Sequence, residues 1–141
     1  MTRRRPSKHS LTVDAETSAR LGRIRQQGTS PELTVRRIIH RLGLRFRVAN
    51  RDLPGSPDIA NRSRKWAIFV HGCFWHRHRG CVRATTPTRN REFWLAKFRA
   101  NVARDDRTST ELRRSGWKVI IVWECEVENG RALSKLRRIV P

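Results

Sequence analysis

The chain has 141 residues, with 32 Lys and Arg against 12 Asp and Glu, a formal net charge of +20. That length suits one domain with its own hydrophobic core, and a positive excess spread along the whole chain points to a polyanionic partner, nucleic acid ahead of a membrane surface. No apolar run approaches the ~18 residues of a spanning helix, no apolar signal core follows the basic start MTRRRPSKHS, and three cysteines, two of them close together, argue against a disulfide framework and for a reduced, intracellular setting.

Residues 1–28 are polar and basic and read as an arm that contacts phosphates, while residues 29–141 read as a single domain. Thr29-Ser30-Pro31-Glu32 predicts a helix start: a capping hydroxyl, then proline in the first turn, then an acid. Val35, Ile38, Ile39 and Leu42 follow at helical spacing and give one buried face, and Gly43 supplies the stop. His40 falls beside that face as a surface or packed residue. Leu44, Phe46 and Val48 alternate with Arg45 and Arg47, which predicts a half-buried strand over 44–48. A turn at 52–55, a short strand over 57–60 and a turn at 61–63 come next. Residues 65–70 are apolar on both faces, as in a central strand. A long loop over 71–91 leads to a helix over 92–114 that aligns Phe93, Trp94, Phe98 and Val102. Ser115-Gly116 ends it. A buried strand is expected over 117–125, then a terminal helix through Leu133, Leu136 and Ile139. Trp66, Trp117 and Trp123 are assigned to the core. Two strands separated by a long helix suggest a crossover beside a meander, an α/β layer structure.

The stretch HGCFWHRHRGC, residues 71–81, concentrates the chemistry. Cys73 and Cys81, with one histidine between them and distant Cys125, make a Cys₃His set of the closed, structural zinc kind. Cys125 reaches the loop only if its strand lies beside 65–70. By spacing alone, His76 and His78 are both acceptable as the fourth ligand. Asp58 lies on a short strand, and a tight turn would bring it beside His71 at the end of the next one. An acid beside an imidazole in so basic a chain suits a divalent metal that must meet a phosphodiester. His71 and His76 are suited to moving protons or holding the phosphate, and Glu32 to orienting a water.

Seven segments resemble the Vsr family, the very short patch repair endonucleases. They are SPE at 30–32, GLRFRV at 43–48, LPGSPD at 53–58, AIFVHGCFWH at 67–76, EFW at 92–94, NVARD at 101–105 and GWKVIIVWEC at 116–125. They run in order over most of the chain. The resemblance implies a restriction-endonuclease-like fold, a PD-(D/E)xK variant with a three-layer core and a central mixed sheet, in which His71 stands where lysine is usual. It implies a nick 5′ of the thymine in T:G mismatches left by deamination of 5-methylcytosine. Asp58 and the main chain of Val70 would hold magnesium, with His71, His76 and Glu32 assisting. Cys73, His78, Cys81 and Cys125 would hold zinc, which selects His78 over His76. Phe74, Trp75 and Trp94 match aromatic wedges, and Leu21 matches an apolar residue that reaches the minor groove. Lys97 and Asn101 would face bases, and Arg77 and Arg79 would add phosphate affinity. The implied setting is a monomer in the bacterial cytoplasm, on the nucleoid, linked to a cytosine-5 methyltransferase and mismatch-repair proteins.

One departure stands out. The gap between His78 and Cys81 holds Arg79-Gly80, one residue more than the close family form, so the zinc loop is expected to bulge, with Gly80 easing it. Three readings compete with a mismatch nickase. A restriction-type nuclease without mismatch specificity would cut matched DNA as well. A non-catalytic zinc-containing DNA-binding module would have no need of Asp58, His71 and His76 together. An HNH-type nuclease would show paired CxxC knuckles, and the sequence has none.

Overall fold

The computed structural model describes residues 28–140. Helix α1, Ser30–Arg41, begins where the caps predict: the Thr29 hydroxyl accepts the Glu32 amide at 3.4 Å, and Pro31 sits in the first turn. Strand β1, Ile59–Asn61, and strand β2, Trp66–His71, form an antiparallel hairpin. Helix α2, Arg91–Arg114, crosses to strand β3, Lys118–Trp123, which pairs parallel to β2. Two short helices, α3 at Glu124–Glu128 and α4 at Ala132–Leu136, end in a 3₁₀ turn over Arg137–Ile139. The sheet order β1-β2-β3 is mixed, as expected. Among the described residues no helix is long and apolar enough to cross a membrane.

The strand period of two divides the core into two layers. Ile59, Trp66, Ile68, Ile120 and Val122 pack with Val35 and Ile39 of α1 and with Ala132, Leu136 and Ile139. On the other face Ala60, Ala67 and Phe69 pack with Leu112 of α2, joined by Trp117, Val119 and Ile121. Helices therefore cover both sides of the sheet, and both faces of β2 are apolar because both are covered.

Three expected elements differ. Residues 44–48 form no strand; a single bridge joins Arg47 to Ala60. The Asn61 side-chain amide donates to the Arg45 carbonyl at 2.9 Å, so a side chain takes the place of a ladder bond. The last strand stops at Trp123, and Cys125 lies in α3. There the Glu126 carboxylate accepts the Trp123 amide at 3.0 Å and the Lys135 ammonium at 2.7 Å, which turns the chain into a helix. The terminal helix is broken in two. On α2, Trp94 and Phe98 are buried but Val102 is exposed, and His40 lies on the surface of α1.

The turn before Asp58 is built tightly. Gly55 has φ of 73°, and a Cβ there would lie 2.7 Å from the Thr108 hydroxyl and 3.1 Å from the Phe69 ring. Backbone strain and a clash with packed atoms act together, so Gly55→Ala should cost about 2 kcal/mol or more. Urea unfolding with an unchanged m-value is the check.

Candidate active site and metal centre

The parallel register pairs His71 with Trp123 at one end of the sheet. His71 follows Ala67 and Phe69 by strand alternation, so it faces α2. The antiparallel hairpin brings Asp58 to the same end, where its Oδ2 accepts the Val70 amide at 2.7 Å. Asp58 shares a cleft with Glu32, Arg36, Asn50 and Pro57. Burial and then the nearby Glu32 carboxylate push the Asp58 carboxyl up to about 6, against the Val70 amide, which pulls it down. A largely buried carboxylate with a second acid in the same cleft is a donor set that fits a hard divalent cation. Glu32 itself is buried and committed: Arg36 donates to it at 2.6 Å and the Gly28 amide at 3.1 Å.

His71 and His76 come together as the sequence suggested. Their rings stack with centroids 3.8 Å apart and planes within 6°. The His76 Nδ1 lies 2.6 Å from Oδ2 of Asp105, on α2. A carboxylate only accepts, so Nδ1–H donates, and among the described residues Nε2 has no hydrogen-bond partner. Asp105 was not singled out as a functional residue from sequence. It lies in the family-like segment NVARD, but nothing local links it to a histidine 29 positions away. Burial, then His76, push His71 down to about 3, so it is neutral at physiological pH. His71, His76 and Asp105 offer atoms close enough to suggest a metal. The stacking argues otherwise, because lone pairs in two parallel ring planes cannot converge on one ion.

The second cluster is better formed. Cys73, His78, Cys81 and Cys125 have ligand atoms all within 4.8 Å of one another. His78 Nδ1 lies 3.6 Å from Sγ of Cys73 and 3.4 Å from Sγ of Cys125. Tetrahedral zinc with bonds of 2.0–2.3 Å spaces its ligand atoms by roughly 3.3–3.8 Å, so the donor set fits. Burial pushes the Cys73 thiol up to about 12, and its thiolate would need a cation beside it. His76 turns away to Asp105, which leaves His78 in the cluster. The bulge expected before Cys81 is a tight turn: the Cys81 amide donates to the His78 carbonyl at 3.2 Å, and Gly80 at the third position has φ of 73°.

Trp123, expected in the core, is instead a shared wall. Its ring stacks on His78 at 4.3 Å and meets His71 edge-on at 5.2 Å. Trp66 is buried in the core layer beneath α1, and Trp117 packs against the other layer, beneath α2. Phe74 is ringed by Trp75, Trp94 and Phe98, with centroids 5.1–5.5 Å away. Phe74 and Trp75 are half-buried and Trp94 is buried within this cluster. The Asn101 amide donates to the Trp75 carbonyl at 3.0 Å, and the Lys97 ammonium lies 5.9 Å from the Trp75 ring. Arg79 is exposed, whereas the Arg77 guanidinium is bound within the loop. Leu21 lies outside the described residues.

The family model for DNA mismatch endonuclease Vsr matches residues 11–83. Type II nicking enzyme V.XorIIP of Xanthomonas oryzae is 45% identical over 118 residues, 83% of this chain and 86% of that protein. Type II nicking enzyme V.NmeAIP of Neisseria meningitidis is 41% identical, covering 76% of each chain. DNA mismatch endonuclease Vsr of Escherichia coli is 38% identical over 85% of this chain and 76% of its own length. The family model takes in β1, β2, Asp58 and the loop as far as Cys81, and the relatives cover 76–85% of this chain at 38–45% identity, so the chain belongs to the Vsr family of DNA mismatch endonucleases.

Proposed function

We propose that this DNA endonuclease is a magnesium-dependent, zinc-stabilised nickase that cuts 5′ of the thymine in T:G mismatches arising from deaminated 5-methylcytosine. The reading is carried by one observation: Asp58, His71 and His76 meet at one end of the sheet, beside a Cys₃His cluster that the 73–81 loop forms with Cys125 of α3. The name of the Escherichia coli relative supplies the mismatch.

Asp58 and the Val70 carbonyl would hold magnesium, which when bound supplies positive charge to the scissile phosphate. Glu32, fixed by Arg36, orients the attacking water. Asp105 fixes the His76 ring through Nδ1–H, and the free Nε2 faces the phosphate, ready to accept or give a proton. Neutral His71 backs that ring and keeps its plane. Phe74, Trp75 and Trp94 enter the base stack beside the mismatch; unstacking costs a few kcal/mol per step, less at a mispair, and inserted rings recover stacking. Lys97, Asn101, Arg79 and the basic segment 1–28, with Leu21, face the DNA. Cys73, His78, Cys81 and Cys125 hold zinc as a structural ion. The enzyme works as a monomer on the bacterial nucleoid, beside a cytosine-5 methyltransferase and mismatch-repair proteins.

The test is a nicking assay with magnesium on duplexes that differ at one base pair. The T:G duplex should be nicked 5′ of the thymine and the matched duplex left intact. Equal cutting of both would remove the mismatch specificity. No cutting with any divalent ion, but binding whose log K falls steeply with log salt, would favour the non-catalytic DNA-binding module.

A further inference from the structure

Arg77 sits between His76 and His78, and its backbone is left-handed, with φ of 56°. For a long side chain that conformation is strained and persists only where surroundings hold it. Here the guanidinium does the holding. It donates to the Phe74 carbonyl at 3.2 Å, the Thr85 carbonyl at 2.8 Å, the Ala84 carbonyl at 2.9 Å and the Thr86 hydroxyl at 3.1 Å. Its central carbon, Cζ, lies over the Phe98 ring on α2, 3.9 Å from the centroid. One side chain thus ties the turn carrying the Phe74-Trp75 pair, the loop segment at 84–86 and the helix that carries Asp105. Donors already spent on main-chain oxygens are not free for phosphate oxygens, and stacking on an aromatic face with a planar fork is a geometry lysine cannot copy.

We propose that Arg77 is a positioning residue, a clamp that sets the distance between the aromatic wedge, His76 and α2, and that it does not act as a phosphate contact. The proposal rests on the nuclease reading for its catalytic consequence, while the clamp itself is open to a test without DNA. The full chain with Arg77→Lys and, separately, Arg77→Gln is compared with the parent by amide hydrogen exchange over 74–86. Zinc content, salt-dependent DNA affinity and single-turnover nicking at saturating T:G duplex are measured alongside.

Both variants should exchange faster over 74–86 yet retain their zinc. Both should bind DNA with an unchanged salt slope, because no phosphate contact is lost. Nicking at saturating DNA should fall about 10- to 100-fold, the cost of a misplaced reacting group, and Arg77→Lys should rescue little of it. A phosphate contact would give the opposite pattern: for Arg77→Gln a slope shallower by about 0.9, for Arg77→Lys a slope like the parent's, and for both a parental rate once DNA saturates. That result, or unchanged exchange over 74–86, overturns the proposal. Loss of zinc together with the rate overturns it as well, since Arg77 would then only support the metal cluster. If the parent itself never nicks, the nuclease reading fails, and the exchange data alone decide the clamp.

Discussion

Asp58→Asn is expected to lower nicking of a T:G duplex on the order of 10³-fold or more, while making the magnesium-free protein harder to melt at neutral pH. The two effects share one cause. Asp58 is held in a cleft with Glu32, and burial raises its carboxyl to about 6 from 3.8. The unfolded chain releases this proton near pH 4 and the folded chain only near pH 6. Between those values the folded state binds more protons, so stability falls as pH rises through the window, and the full penalty stands above it. A shift of about two units corresponds to about 2–3 kcal/mol at 1.36 kcal/mol per unit, and partial exposure to water reduces that to about 1–2 kcal/mol. Asparagine keeps an oxygen to accept the Val70 amide and carries no charge. Melting temperatures of parent and variant should therefore separate at pH 7.5 and converge towards pH 4.5, with contributions common to both, such as that of His71, cancelling. A variant no more stable than the parent at pH 7.5 would show that Asp58 is not a strained acid. A variant that still nicks would remove it from the active site.

On the proposed assignment of zinc to the Cys₃His cluster, removing the metal is expected to cost most of the fold. Structural zinc in small domains contributes an apparent 10–16 kcal/mol, comparable to the 5–15 kcal/mol that holds a whole domain together. The cluster joins parts of the chain far apart in sequence: Cys73 and Cys81 in the loop, Cys125 in α3. Around it, the Cys73 amide donates to Glu124 at 3.0 Å and Arg83 pairs with Glu128, so α3 is docked through the same seam. Cys125→Ser, or treatment with a strong chelator, should lower the melting temperature by more than about 10 °C and end nicking together with it. Elemental analysis should find one zinc per chain in the parent. Absent zinc and an unchanged melt after chelation would rule the assignment out.

Much of this was legible in the sequence because the signals were local. Thr29 and Pro31 announce a helix start in any context, and the apolar run from Val119 to Trp123 has nowhere to go but a sheet. The Cys/His cluster was legible because three of its members lie within nine positions. The failures were tertiary. Leu44, Phe46 and Val48 alternate like a strand, but Asn61 satisfies the Arg45 carbonyl from its side chain, and the ladder never extends beyond one bridge. Cys125 is in a helix because Glu126 is anchored by Lys135, a contact between separate elements. Asp105 looks like any acid on an exposed helix until α2 is laid across the sheet and brings it to His76. Arg77 reads as one more basic residue in a chain of net charge +20, and only the folded loop shows where its donors go.

The Trp123 ring lies between His71 and His78, touching both. On the zinc reading, a molecule that loses its metal loses the wall behind His71, the ring on which the reactive His76 imidazole stacks. Scarcity of zinc would then reduce the number of working enzymes without slowing each one. For an enzyme that breaks DNA strands, an all-or-none failure of this kind is the safer one, because no half-built molecule is left to cut at the wrong place.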